Sequence, residues 1–318
     1  MRRERTRHLT GSAGRGSPQP AAAPEGGAAT EGAGRESQLA PGLYLVATPI
    51  GNLGDITRRA ETVLTLADLV VCEDRRVTSR LLRHLGLSRP LGLYHEHNAE
   101  AARPELLARL EAGGSVALVS DAGTPAVSDP GYKLVREAVR RGIRVHPIPG
   151  PSAALAALVA SGLPTDRFLF QGFLPPRSSA RRRVLEELAT VRATLLLFEA
   201  PHRLAETLAD AAAVLGDRPA VIARELTKLH EELRPGTLGS LAAAYATAGT
   251  PKGEIVIVVA PPEAPAVVED DAAVDRLLAA ALRTKRPRLA AGEVAAATGR
   301  SANELYKRAL ALSARERS

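Results

Sequence analysis

The chain has 318 residues, a net charge of +7, 45% hydrophobic but only 3% aromatic residues, no tryptophan and one cysteine. That length implies about two domains, and the apolar content excludes global disorder, with cores built from Ala, Leu and Val. Lone Cys72 excludes an internal disulfide framework and any cysteine-cluster metal site; no apolar run reaches a membrane span or forms a secretion signal, so a reduced, cytoplasmic protein is expected.

Residues 1–41 are rich in Gly, Ala, Pro and Arg without apolar periodicity, and read as a disordered tail. Short apolar runs then alternate with helical patterns. Strands are expected at Leu43–Thr48, Leu69–Cys72, Ser115–Ser120 and Arg144–Ile148. Helices are expected from Asp55 or Thr57 to Ala67, through Leu85, over Ala99–Ala112 and Tyr132–Arg141, and from Ser152 onward. The alternation predicts an α/β domain with a mainly parallel sheet over residues 42–152. A second α/β domain over 153–262 is expected from strands at Arg167–Phe170, Thr194–Glu199, Ala220–Glu225 and Glu254–Ala260, with helices at Ser178–Ala189, Leu204–Leu215 and Leu238–Tyr245.

Beyond it, residues 263–275 carry five acids and no base and read as an acidic linker. Residues 276–318 read as a basic helical extension. They hold ten basic residues against Glu293, Glu304 and Glu316, an excess equal to that of the whole chain and suited to a polyanion. Helices at Ala290–Ala297 and Ser301–Leu312 flank a Thr298-Gly299-Arg300 turn, a pattern shared by a helix-turn-helix and a plain helical hairpin.

No dinucleotide-binding, P-loop, zinc-hydrolase or nucleophile-elbow motif is present. Instead, three irregular loops follow expected strands: Thr48–Asp55 (TPIGNLGD), Ser120–Gly131 (SDAGTPAVSDPG) and Pro147–Ser152 (PIPGPS). Open α/β sheets bind ligands outside the carboxyl ends of their strands, glycines admit close backbone approach, and Ser152 opens a helix whose N-terminus suits an anion. Together the loops predict a small-molecule site. Glu73, Asp74, Glu199 and Glu225, at or just past strand ends, are candidate general bases, each with a structural ion pair as the alternative. His95, His97 and His202 read by default as loop histidines, and Cys72 as core. Arg177, Arg181, Arg182 and Arg183 cluster at a helix start, where cations are disfavoured by the helix dipole. Arg177 and Arg181 are spaced to share a face, and phosphate contact is expected, with a solvated basic helix start as the alternative.

The segments TPIGNLGDIT, CEDRR, LVSDAGTPAVSDPGY, PIPGPSA, RFLFQGFLP, FEAPHR and ARELTKLHE, in this order between Leu43 and Ala260, resemble the tetrapyrrole-methylase superfamily. Within it they resemble the bacterial enzymes that methylate a cytidine 2′-hydroxyl of small-subunit (16S) ribosomal RNA, and ELYKRAL at Glu304–Leu310 resembles their C-terminal extension. The resemblance implies two α/β domains with a cofactor cleft between them, S-adenosylmethionine as cofactor, a homodimer, and ribosomal RNA or the 30S particle as substrate, with an effect on the decoding region. It implies cofactor contacts from Thr48, Pro49, Gly51, Ser120, Asp121, Ala122, Gly123, Thr124, Pro125, Ser128, Asp129, Gly150, Pro151 and Ser152. RNA contacts fall to the four arginines above and to Lys307 and Arg308; no metal is implied. The alternatives are a small-molecule, tetrapyrrole-type methylase, which has no need of basic C-terminal helices, and a non-enzymatic nucleic-acid-binding regulator, which leaves the three loops unexplained.

Overall fold

The computed structural model describes residues 38–128, 131–263 and 270–315. The expected tail lies outside the described residues except at its end. There Leu39 packs on the first core and the Ala40 carbonyl accepts a 2.8 Å hydrogen bond from the Tyr44 hydroxyl, so ordered structure starts before Gly42.

The first sheet consists of β1 (Gly42–Val46), β2 (Leu69–Cys72), β3 (Leu91–Leu93), β4 (Ser115–Val119) and β5 (Val145–Ile148), all parallel in the order β3-β2-β4-β1-β5. Alternate residues feed opposite faces, as strand geometry requires. Tyr44, Val46, Val70 and Cys72 pack under α1 (Arg58–Leu66) and α2 (Arg75–His84). Leu43, Val71, Val116 and Leu118 pack under α3 (Ala99–Glu111) and α4 (Tyr132–Arg140). Thr57 rather than Asp55 caps α1, its hydroxyl accepting from the Ala60 amide. The three loops of interest leave β1, β4 and β5, which are adjacent in the sheet.

The second sheet consists of β6 (Phe168–Phe173), β7 (Thr194–Glu199), β8 (Pro219–Arg224), β9 (Glu232–Thr237) and β10 (Ile255–Val259), in the order β6-β7-β10-β8-β9. Only β6 and β7 are parallel. One face carries α6 (Ser178–Leu188), α7 (Leu204–Leu215) and α8 (Leu238–Ala248). The other carries α5 (Ala153–Ala160) together with Ile50, so the loop after β1 plugs into the core of the second domain. Strand β9 was not expected. Its Pro235-Gly236 pair breaks the strand pattern and is tolerated because β9 is the sheet edge.

Three helices follow: α9 (Asp271–Leu282), α10 (Pro287–Thr298) and α11 (Ala302–Arg315), with their own core of Val274, Leu278, Ala291, Val294, Leu305 and Ala309. Helix α9 begins inside the stretch expected as a linker to residue 275. Asp270 caps it through the Ala272 amide, and Asp271 sits in the first turn, where the helix dipole favours acids. Gly299 ends α10 in the left-handed region at φ 69°.

Candidate active site

The three loops are stitched into one rim. Thr48 and Gly123 exchange backbone hydrogen bonds of 2.9 and 3.0 Å, and the Thr48 hydroxyl donates to the Ser120 carbonyl. Ser120 turns its own hydroxyl onto the Gly123 carbonyl, and Thr124 donates to the Pro151 carbonyl at 3.3 Å. Ser152 caps α5 by accepting from the Leu155 amide.

Facing this rim, the last residue of β6, the end of β7 with the loop after it, the loop after β8 and the start of β10 close a cleft of about 400 Å³. The first domain contributes Ile50, Asp121, Ala122, Gly123, Thr124, Val127, Ser128 and Ser152. The second contributes Phe173, Phe198, Glu199, Ala200, Pro201, Leu226, Gly253 and Glu254. Of the expected cofactor residues, Asp121, Ala122, Gly123, Thr124, Ser128 and Ser152 line the cleft. Thr48, Pro49, Gly51, Ser120, Pro125, Gly150 and Pro151 do not; those with contacts described here brace the rim from behind. Asp129 lies outside the described residues.

The domains also interlock at the cleft. Ser128 leans on the bulge in β6 so closely that a Cβ on Gly172, itself at φ 72°, would sit 2.8 Å from the Ser128 hydroxyl. The four non-glycine residues with positive φ are Ala126, Ser128, Glu225 and Thr227 among the described residues, two in each of the loops that flank the cleft from opposite domains. Such strain persists only where surrounding structure imposes it, and it clusters at functional sites.

The carboxylates divide by partner. Asp121 accepts from the Asp74 amide at 3.0 Å, and burial, with Asp74 nearby, pushes its pKa up. Glu73 is likewise raised, by burial and then by Asp121. Asp74 caps α2 and is bound by Arg76 at 2.6 Å, which holds it at about 2; it lies outside the cleft. Glu199 does line the cleft, but one oxygen takes the Ala200 amide and faces Arg203, and the other takes the Thr207 hydroxyl at 2.6 Å. Glu225 lies outside the cleft, is paired with Lys228 at 2.8 Å and is lowered by that contact. Asp74, Glu199 and Glu225 are thus anchored in structural networks, whereas the fourth candidate base, Glu73, has no ion pair among the described residues. The ring Nδ1 of His95 is buried without a hydrogen-bond partner among the described residues. Cys72 is core, its thiol against the Gly92 carbonyl.

The expected RNA arginines are corrected in part. Arg181 is 1% exposed and bonds Asp210 at 2.7 Å and the Pro176 carbonyl, while Arg182 bonds the other Asp210 oxygen at 2.6 Å. Spacing cannot show that α7 presents an aspartate there. Arg177, Arg182 and Arg183 remain exposed. Arg308 on α11 is held by Asp271 and Asp275, whereas Lys307 is exposed.

Sequence reading missed the second-domain wall: Phe173, Phe198, Leu226 and Glu254. The available signal was position, since Phe173 closes the FLFQGF run and Phe198 is the last apolar residue of TLLLFE, each at the end of a strand.

This architecture defines the tetrapyrrole (corrin/porphyrin) methylase family, to which the chain belongs: residues 42–242 match that family, and residues 268–313 match the RsmI C-terminal HTH domain. Diphthine synthase shares the fold at a TM-score of 0.54 and 21% identity, over 69% of this chain and 89% of its own. A cobalt precorrin-4 methyltransferase of cobalamin biosynthesis shares it at 0.50 and 21%, over 69% and 94%. Within the family the chain stands with the ribosomal RNA small subunit methyltransferases I, and it is a methyltransferase of that group. The protein of that name from Mesorhizobium japonicum is 57% identical over 275 residues, 86% of this chain and 93% of the relative. Those from Erythrobacter litoralis (52%, covering 86% and 96%) and Escherichia coli O157:H7 (46%, covering 84% and 94%) match at similar length.

Proposed function

We propose that this protein transfers the methyl group of S-adenosylmethionine to the 2′-hydroxyl of a cytidine in small-subunit ribosomal RNA, working as a homodimer in the cytoplasm. The observation that carries the reading is the composition of the cleft: an aspartate, a capped helix start and an apolar wall on one cavity, in a chain whose near relatives carry that enzyme's name along almost their whole length.

The residues fit the cofactor's chemistry. When bound, S-adenosylmethionine supplies an electrophilic methyl group on a positively charged sulfur, flanked by an ammonium, a carboxylate and an adenosine. Asp121 offers negative charge at the cleft wall. Ala153 and Ala154 line the cleft at the start of α5, and the Ser152 cap uses the Leu155 amide rather than theirs, so a carboxylate suits that end. Ile50, Phe173, Phe198 and Leu226 give the apolar surface an adenosine needs and keep water from the reacting centre. The stitched rim fixes this arrangement before the ligand arrives.

With Asp74, Glu199 and Glu225 committed to partners, the chain's own residues would contribute mainly by placement, holding the sugar hydroxyl and the cofactor together in the cleft. The test is mapping of 2′-O-methylation in ribosomal RNA from a strain lacking the gene, with and without the gene restored. Loss of one small-subunit cytidine modification, recovered on restoration, is expected; an unchanged pattern refutes the reading.

A further inference from the structure

The C-terminal cations that lack an acidic partner form a different surface from Lys307 and Arg308, to which the family resemblance gives RNA contact. In the turn before α11, Arg300 is bound by Asp271 and Glu304, and on α11 Arg308 is bound by Asp271 and Asp275. Arg276 faces Asp270 at 3.6 Å, and Lys285 is paired with Glu293. Asp271 and Asp275 of α9 therefore neutralise Arg300 and Arg308 inside the bundle. Among the described residues, Lys307 is the only cation of α11 with a described side chain and no ion pair.

Arg283, Arg286 and Arg288 are different. They lie within six residues at the α9–α10 junction, all are exposed, and none has an ion pair. Arg286 is the residue capping α10, with no side-chain cap bond, and Arg288 is in its first turn, which holds no acid. The helix dipole disfavours cations there, so the bundle gains nothing from the placement. Leu289 beside them is 65% exposed.

We propose that the α9–α10 junction, through Arg283, Arg286 and Arg288, is the surface by which the C-terminal bundle grips the phosphate backbone of RNA, and that α11 is chiefly structural. In a helix-turn-helix the second helix ordinarily enters a groove; here its Arg308 is already neutralised. Charge complementarity selects a polyanion, and the proposal rests on the reading above in taking that polyanion to be ribosomal RNA. Arg192 of the second domain donates to the Ala296 carbonyl at the opposite end of α10, which leaves the junction end clear of that contact.

The test is binding of full-length protein to a small-subunit ribosomal RNA transcript at several salt concentrations, with S-adenosylmethionine titration alongside. Each phosphate contact contributes about 0.7–0.9 to the slope of log affinity against log salt. The variant Arg283→Gln/Arg286→Gln/Arg288→Gln is expected to flatten the slope by about 2 and to weaken binding at least roughly tenfold at low salt. Lys307→Gln is expected to change the slope by about 1 or less. A triple variant with wild-type slope and affinity overturns the assignment, as does a larger effect from Lys307→Gln. Wild-type protein that binds the transcript without salt dependence overturns it too. Wild-type protein that binds cofactor but neither the transcript nor the assembled small subunit overturns the functional reading as well, so the two failures are distinguishable.

Discussion

The side chain of Lys228 lies directly over the α-carbon of Gly51. A Cβ at Gly51 would meet Lys228 Cγ at 2.4 Å and Cε at 2.7 Å. Gly51 belongs to the loop after β1 and Lys228 to the loop between β8 and β9, so the contact joins the two domains beside the cleft. The ammonium is fixed at the far end by Glu225 and Glu254, both at 2.8 Å. Burial works against the charge on Lys228, but the two carboxylates outweigh it and its pKa is raised.

Gly51→Ala is therefore expected to displace Lys228 from its carboxylates and to cost about 1–3 kcal/mol of stability, the usual range for overpacking. Cofactor affinity should weaken with it. Adding Lys228→Ala removes the clash, so the double variant should lose less than the two single losses combined. Thermal unfolding of the four proteins in the cycle checks this; strict additivity would show that the contact is not felt.

Asp121→Asn keeps an oxygen to accept the Asp74 amide and removes only the charge. The fold should survive, and S-adenosylmethionine affinity should fall by about 1–3 kcal/mol, the cost of losing a hydrogen bond to a charged group. Calorimetric titration reads the affinity and near-ultraviolet dichroism the fold. Unchanged affinity would remove Asp121 from the cofactor site.

Glu199→Gln separates an anchor from a base. As an anchor holding Ala200, Thr207 and Arg203, Glu199 affects placement, and its amide should lower the rate less than about tenfold with an unaltered pH profile. General-base loss is expected to cost about 10²–10⁴-fold and to remove a limb of the profile. Single-turnover rates across pH distinguish the two.

Arg181 and Asp210 make a prediction about stability rather than RNA. Arg181→Ala leaves a buried carboxylate half-paired and should cost up to about 3–5 kcal/mol, offset in part by Arg182, with RNA affinity per folded molecule unchanged. Burial pushes the Asp210 pKa up, but hydrogen bonds from Arg182, Arg181 and Ser178 prevail and the net direction is down from 3.8. Its stabilisation is thus complete above the unfolded-state value and is lost as pH falls from there through the lower folded-state value. Denaturant unfolding between pH 7 and pH 3 should show that loss in the wild type and less of it in Asp210→Asn.

The rim of the cleft was legible in sequence because each loop sits between an apolar strand and a helix start, and adjacency of β4, β1 and β5 brings the three together. The opposite wall was not. Phe173, Phe198 and Leu226 reach the cleft only through the pairing of a mixed sheet, which no local pattern encodes. Pairing also explains the arginines: Arg181 meets Asp210 and Arg308 meets Asp275 across 29 and 33 residues, so spacing on one helix could not reveal that their charges were taken. The second domain was legible as strands and helices, but β9 was hidden by Pro235-Gly236.

The most direct test of the central claim is nucleoside mass spectrometry of small-subunit ribosomal RNA after incubation of unmodified subunits with purified protein and methyl-labelled S-adenosylmethionine. The account predicts label in 2′-O-methylcytidine at a single site, diminished by Asp121→Asn. Label on a base rather than a ribose, or in no RNA at all, would contradict it.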